Sequence, residues 1–429
     1  MRTVAFHTLG CKVNQYDSQA MLELFEQAGY QAVDFSQAAD VYVVNTCTVT
    51  GTGDKKSLNA VRRALRMNPH AEVVIAGCLA QRDGEKLLET GARLVIGNAR
   101  RGEVVRLLEE AVANGQRVAA VTDILRAPYE PLHISSHEGH TRAVLKIQEG
   151  CDRYCTYCII PYVRGGIRSR APEDIQREAC RLAQAGFQEL VLTGIHLTSY
   201  GRDLEGQTLL DAVRACDVEG VRRIRLGSLE PVIVTEAFAE ALKKETKVCP
   251  QFHLALQSGS DTVLKRMRRR YTTEEFRQAC ALLRAAFPGC AITTDVITGF
   301  PGETEAEFAE TVAFSREIGF ARMHVFPYSA RQGTPAAQMP GQVPKAVREE
   351  RARRLIAVGA DMARQFMEAQ IGRTVEVLVE ETEGDGMVRG YTGQYMACAF
   401  QGGKPGEIRK VLVTSADGDG LIGELRVQS

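Results

Sequence analysis

Short apolar runs alternate with helical stretches along most of this 429-residue chain, and that rhythm limits the folds open to it. In the first hundred residues TVAFHTL, DVYVVNT, EVVIAG and RLVIG read as strands, separated by the helices SQAMLELFEQAGY, KKSLNAVRRALRMN and RDGEKLLETG. Unbroken apolar strands between helices are buried on both faces, so a parallel, Rossmann-like α/β sheet is expected. After RAPYEPLHISSHEGHT (126–141), which has no period, the rhythm returns as AVLKIQ, ELVLTG, RIRLGS, FHLALQ, ITTDVITG and RMHVFPYS. Six successive units predict a (β/α)6 barrel or partial barrel with its active groups at the carboxyl ends of the strands. The last sixty residues hold short strands broken by glycine, the pattern of a small antiparallel β domain. The expected organisation is an N-terminal domain (1–125), a solvated linker (126–141), the barrel (142–344), a connecting helix (345–369) and the β domain (370–429).

No apolar run has membrane-spanning length and the N-terminus lacks a signal-peptide core, so the expected location is the cytoplasm. Twelve cysteines there are not a disulfide framework. Cys180, Cys216, Cys249, Cys280, Cys290 and Cys398 have no motif around them and read as small buried residues. The other six form two groups. Cys11, Cys47 and Cys78 each follow one of the first three strands. Neighbouring parallel strands lie about 4.8 Å apart and their carboxyl-end loops line one crevice, so these thiols can converge across gaps of 36 and 31 residues. Cys151, Cys155 and Cys158 sit together in GCDRYCTYCIIPYVRG, after the first barrel strand. Zinc would need a fourth ligand, and no second C-x-x-C unit exists. Three thiolates fit a four-iron, four-sulfur cluster that leaves one iron open.

The spacing of the second group, with Tyr157 before its last cysteine, resembles the signature of radical S-adenosylmethionine enzymes. LGCKVNQYDS, NTCTVT, AGCLAQ and IQEGCDRYCTYCIIPYVRG then match, in order, the motifs of the methylthiotransferase family, over essentially the whole chain. The resemblance implies a cluster domain, a radical barrel and a small TRAM domain. It implies two [4Fe-4S] clusters, one on Cys151, Cys155 and Cys158 and an auxiliary one on Cys11, Cys47 and Cys78. It also implies two molecules of S-adenosylmethionine per turnover: one cleaved to the radical that abstracts hydrogen from an adenine C2, the other giving the methyl group. Tyr157, Gly194, Ser228, Glu230, Gln257 and Asp295, in the cysteine motif or at barrel strand ends, are the candidate cofactor contacts. GCKVN resembles the branch acting on threonylcarbamoyladenosine beside the tRNA anticodon and departs from the GCQMN and GCPKN of other branches. The implied partners are a tRNA anticodon stem-loop and an electron donor protein.

Charge gives RNA no general support, since 53 basic and 53 acidic residues cancel. Local candidates are KRMRRR (265–270), the helix cations Lys55, Lys56, Arg62, Arg63 and Arg66, and Arg164, Arg168 and Arg170; each run by itself reads as a solvated face. The last domain has six basic against nine acidic residues, so RNA would need a local patch there around Arg373, Arg389, Arg409 and Lys410 with Tyr391 or Tyr395. A ribosomal-protein substrate is the alternative that this acidity favours. A non-catalytic iron–sulfur RNA-binding or sensor protein is a further one. His133, His137 and His140 read as residues of a solvated loop.

Overall fold

The structure, a computed structural model, describes residues 1–426 apart from Glu138 and Asp419. Glu138 of the expected linker, and Asp419 and residues 427–429 of the expected β domain, lie outside the described residues.

The N-terminal region forms a six-stranded, wholly parallel sheet: β1 (Thr3–Thr8), β2 (Gln31–Val33), β3 (Val41–Thr46), β4 (Glu72–Gly77), β5 (Leu94–Ile96) and β6 (Val118–Ala120), in the order β2-β1-β3-β4-β5-β6. The four expected strands are present; β2 and β6, three residues each at the edges, are additional. Successive strand residues point to opposite faces, so Val43 and Val74 pack under one helical layer and Val44 and Ile75 under the other. Helix α1 (Lys12–Gln27) serves two cores. Its Met21 and Phe25 pack on this sheet, while Tyr16 and Ala20 join the core of the next domain.

All six expected barrel strands are found: β7 (Arg142–Glu149), β9 (Glu189–Gly194), β10 (Arg223–Leu226) continuing as β11 (Ser228–Leu229), β12 (Gln251–Leu254), β13 (Ala291–Thr298) and β14 (Arg322–Pro327). RIRLGS is one strand in sequence but two here. Its break at Gly227 divides the arc into two sheets, β10-β9-β7-β8 and β11-β12-β13-β14, where β8 (Arg168–Ser169) is a short antiparallel edge that the rhythm did not announce. No pairing joins β8 to β14 among the described residues, so the barrel is partial.

Residues 132–137 of the expected linker are not a solvated loop. Leu132, Ile134 and His137 are buried, and the backbone N–H groups of Ser135 and Ser136 donate to Glu23 of α1 at 2.9 and 3.1 Å. Glu178 of the barrel helix Pro172–Gln184 accepts from Ile134 N–H and from the Tyr16 hydroxyl (2.9 Å), so the segment is a strap clamped between the two domains.

The helix Lys345–Glu368 lays Leu355, Val358 and Met362 on the barrel core and Phe366 and Met367 on the last domain. That domain is a closed five-stranded barrel of β15 (Thr374–Thr382), β16 (Met387–Thr392), β17 (Ala397–Gln401), β18 (Ile408–Asp417) and β19 (Gly420–Leu425). It is not purely antiparallel, because β17 and β19 pair in parallel to close it.

Candidate functional site

Each cysteine of the dispersed triplet leaves the carboxyl end of a sheet strand. Cys11 stands at the N-terminus of α1 after β1, Cys47 follows β3, and Cys78 opens the short helix α2 (Cys78–Asp83) after β4. Two glycines make the approach possible. A Cβ on Gly10, at φ +103°, would stand 3.0 Å from the Cys47 sulfur, and one on Gly77, at φ +91°, would stand 2.4 Å from Asn45 Oδ1. Burial pushes the Cys47 thiol up to about 11, with Cys78 and Cys11 adding to the rise, so the three sulfurs sense one another. Arg164, fully buried and contributed by the barrel domain, donates to Cys78 Sγ at 3.2 Å. It also meets Glu149 at 2.6 Å and Asp17 at 3.2 Å, within a buried set that adds Arg101 and Lys146. One domain thus supplies the thiols and the other the guanidinium beside them.

The local triplet lies on the loop after β7. Cys155 is buried and accepts from Arg269 Nη1 at 3.2 Å; burial lifts the Cys151 and Cys158 thiols to about 11 and about 12. Glu230 holds Arg269 (2.9 Å) and also pairs with Arg153 (2.9 Å) and His196 (3.1 Å). Burial pushes its carboxyl up, but the bond from His196 and the charges of Arg269 and Arg153 outweigh this and hold it at about 2.

A cavity of about 300 Å³ joins Cys11 and Lys12 to the barrel interior, where Gly194, Ser228, His253, Thr293, Arg322 and His324 line it, and to Tyr395 of the small barrel. Of the expected cofactor contacts, Gly194 and Ser228 therefore share one space with Cys11. Glu230 stands beside the local triplet. Asp295 pairs with the lining residue His253 at 3.4 Å. Gln257 adopts φ +68° with its N–H on the Asp295 carbonyl. Tyr157 packs edge-on to Phe300, within a small apolar cluster.

The basic runs divide. Lys55, Lys56, Arg62, Arg63 and Arg66 are exposed along the helix Gly51–Met67, beside a groove of about 670 Å³ in which Arg63 lies 5.6 Å from the Phe35 ring. Arg164, Arg168 and Arg170 are buried, so they are neither a solvated face nor an RNA surface. In KRMRRR, Arg269 faces Cys155 and Arg266 pairs with Glu307 at 2.9 Å. In the last domain Arg409 pairs with Glu407 at 3.0 Å, and Tyr391 and Tyr395 stack with each other under Arg142, inward against the large barrel. Arg164 and Arg269 are the functional candidates that sequence reasoning misplaced. Nothing local distinguishes them from surface cations.

Both donor sets suit an iron–sulfur cluster. Each offers three mutually sensing thiols and one buried guanidinium, which offsets the negative charge that three thiolates would bring. Among the described residues, no three His, Cys, Asp or Glu side chains close on a single-ion site, and a cluster of four irons fills more space than one ion.

The comparisons with known proteins agree with this geometry. Residues 3–97 match the uncharacterized protein family UPF0004, 145–315 the radical SAM superfamily and 368–425 the TRAM domain. The threonylcarbamoyladenosine tRNA methylthiotransferase MtaB of Bacillus subtilis (strain 168) is 46% identical over 94% of this chain and 91% of its own. The protein of the same name from Aquifex aeolicus is 39% identical over 88% of this chain and 93% of its own. A tRNA-2-methylthio-N(6)-dimethylallyladenosine synthase from Parafrankia is 40% identical over 89% of this chain and 79% of its own. Among solved structures, the radical S-adenosylmethionine methyltransferase TsrM of Kitasatospora setae shares the fold at TM-score 0.59 and 15% identity, over 90% of this chain and 80% of that one.

Proposed function

The chain belongs to the radical S-adenosylmethionine methylthiotransferase family, and we propose from that premise that it adds a methylthio group to C2 of N6-threonylcarbamoyladenosine in tRNA. The observation that carries this reading is the 46% identity to the Bacillus subtilis enzyme across nearly the full length of both chains. Two [4Fe-4S] clusters and two molecules of S-adenosylmethionine supply the one-electron chemistry, the hydrogen abstraction, the sulfur and the methyl group.

The chain's own residues would hold and tune these groups. Cys151, Cys155 and Cys158 would bind the radical cluster and Cys11, Cys47 and Cys78 the auxiliary one. Arg269 and Arg164 would each place a fixed positive charge beside one cluster, where burial keeps it effective. Glu230 would keep Arg269 on Cys155. Gly194, Ser228, Gln257 and Asp295, at strand ends or within the strands, and Tyr157 in the cysteine loop would line the way to the open iron. The proposed tRNA contact is the anticodon stem-loop. The exposed cations of the helix Gly51–Met67 support it, as an unburied surface able to meet phosphates. No helix among the described residues is long and apolar enough to cross a membrane. The proposal therefore keeps the protein with its tRNA in the cytoplasm, where an electron donor protein must reach the radical cluster.

The test is mass spectrometry of tRNA nucleosides from cells lacking this protein, complemented with wild type or Cys155→Ala. Return of methylthiolated threonylcarbamoyladenosine with wild type alone is the expected result. An unchanged nucleoside pool in all three strains would overturn the tRNA assignment and move the search to a ribosomal protein.

A further inference from the structure

The cavity beside Cys11 has a charge pattern that neither cluster explains. Three cations, Lys12, Arg225 and Arg322, line it together with the hydroxyls of Thr193, Ser228 and Thr293, and among the described residues no carboxylate does. Arg225 is already committed: it pairs with Glu189 at 2.7 Å and donates to the carbonyls of Thr392 and Gly393, which fasten the small barrel to the large one. Lys12 and Arg322 are different. Both are exposed, and among the described residues neither side chain has a hydrogen bond or an ion pair. Lys12 Nζ lies 6.0 Å from the centre of the Tyr395 ring. Tyr395 is held at φ +67° by the turn between β16 and β17, where its N–H donates to the Thr392 carbonyl at 2.9 Å. Arg142 and Arg225, 4.9 and 4.8 Å from the same ring, add to the positive surroundings.

A concave site with two unpaired cations, several hydroxyls and no acid is complementary to an anion that also makes hydrogen bonds. The substrate of the proposed function carries one, the carboxylate of its threonine moiety, with a hydroxyl next to it. C2 and the carbon bearing the N6 substituent both flank N1 of the adenine. A grip on that substituent next to Cys11 therefore brings C2 towards the dispersed triplet.

We propose that Lys12 and Arg322 bind the carboxylate of the N6-threonylcarbamoyl group, with Tyr395 as the wall against which the substituent lies. The proposal rests on the function given above. It assigns substrate specificity to a pair drawn from two domains, one residue following the first cluster cysteine and one opening the last barrel strand.

The experiment measures the affinity of the reconstituted holoenzyme for two anticodon stem-loop RNAs, one carrying threonylcarbamoyladenosine and one its neutral methyl ester. Wild type is expected to prefer the acid by about 10- to 100-fold, the range for hydrogen bonds to a charged group. Lys12→Met and Arg322→Gln should each erode the preference towards unity by weakening only the acid, and Lys12→Arg should keep most of it. The affinity for the ester RNA reports on folding within the same variants. A preference that survives in the Lys12→Met/Arg322→Gln double variant overturns the proposal. So does a fall in S-adenosylmethionine affinity in place of RNA discrimination, since the pair would then serve the carboxylate of the methionine moiety. If wild type modifies the acid RNA yet binds both RNAs equally, this proposal alone fails; if it modifies neither, the proposed function fails with it.

Discussion

The two cysteine triplets are assembled by opposite routes. Cys151, Cys155 and Cys158 lie on one loop after one strand, so the local backbone brings them together. Cys11, Cys47 and Cys78 come from three strands of a parallel sheet, and their guanidinium, Arg164, comes from another domain. The local triplet is a property of a loop. The dispersed one is a property of a domain interface, held by buried charges and by the strap 132–137. If each triplet holds a cluster as proposed, the second one forms only while two domains stay in register, and disturbances of that interface should separate the two sites.

The largest expected effect comes from the ligands. Cys155→Ala and Cys47→Ala should each lower the iron bound after reconstitution by about half, from about eight atoms per chain to about four. Loss of all the iron in either variant would show the triplets to be interdependent, and loss of none would remove that cysteine from the ligand set.

Next is the pair of arginines. Arg164→Met leaves Glu149 and Asp17 buried with one fewer partner and should lower stability by about 3–5 kcal/mol, the cost of breaking a buried ion pair. Cluster loss should fall first on the dispersed triplet. Arg269→Met leaves Glu230 with Arg153 and His196 and should cost less, about 1–3 kcal/mol, with the effect confined to the local triplet. Thermal melting with iron analysis of each variant checks the order.

The smallest effect concerns the strap. Burial pushes the Glu178 carboxyl up, but His133 and Arg170 outweigh it and hold it below the usual range. A depressed carboxylate stabilises the fold above its unfolded value, about 4.3, and loses that contribution as pH falls through the lower folded value. Melting temperature should therefore fall below about pH 4.3 in wild type. Glu178→Gln should flatten that limb and cost about 2 kcal/mol at neutral pH. An unchanged acid limb in the variant would remove the strap from the account.

The sequence was informative where one element carries the signal. Strand and helix periods gave both parallel regions, and the place of each cysteine after a strand anticipated both triplets. What it concealed depends on partners far away in the chain. Arg164, Arg168 and Arg170 look like surface cations until Asp17, Glu149 and Glu178 are seen around them. Gln31–Val33 and Val118–Ala120 are too short to show a period. The alternating burial of 131–137 was masked by histidines, serines and a proline, which also make loops. Lys12, the residue on which the branch resemblance turns, was visible only as a letter in a motif, and the cavity gives it a surface to act on.

The most direct test of the central claim is an anaerobic turnover assay on threonylcarbamoyladenosine stem-loop RNA with the Cys11→Ala/Cys47→Ala/Cys78→Ala variant. The products to follow are 5′-deoxyadenosine and the methylthiolated nucleoside. With the local triplet intact, S-adenosylmethionine cleavage should persist while methylthiolation disappears. Methylthiolated product from this variant, with near wild-type yield, would contradict the account, because sulfur insertion would then need only one of the two sites.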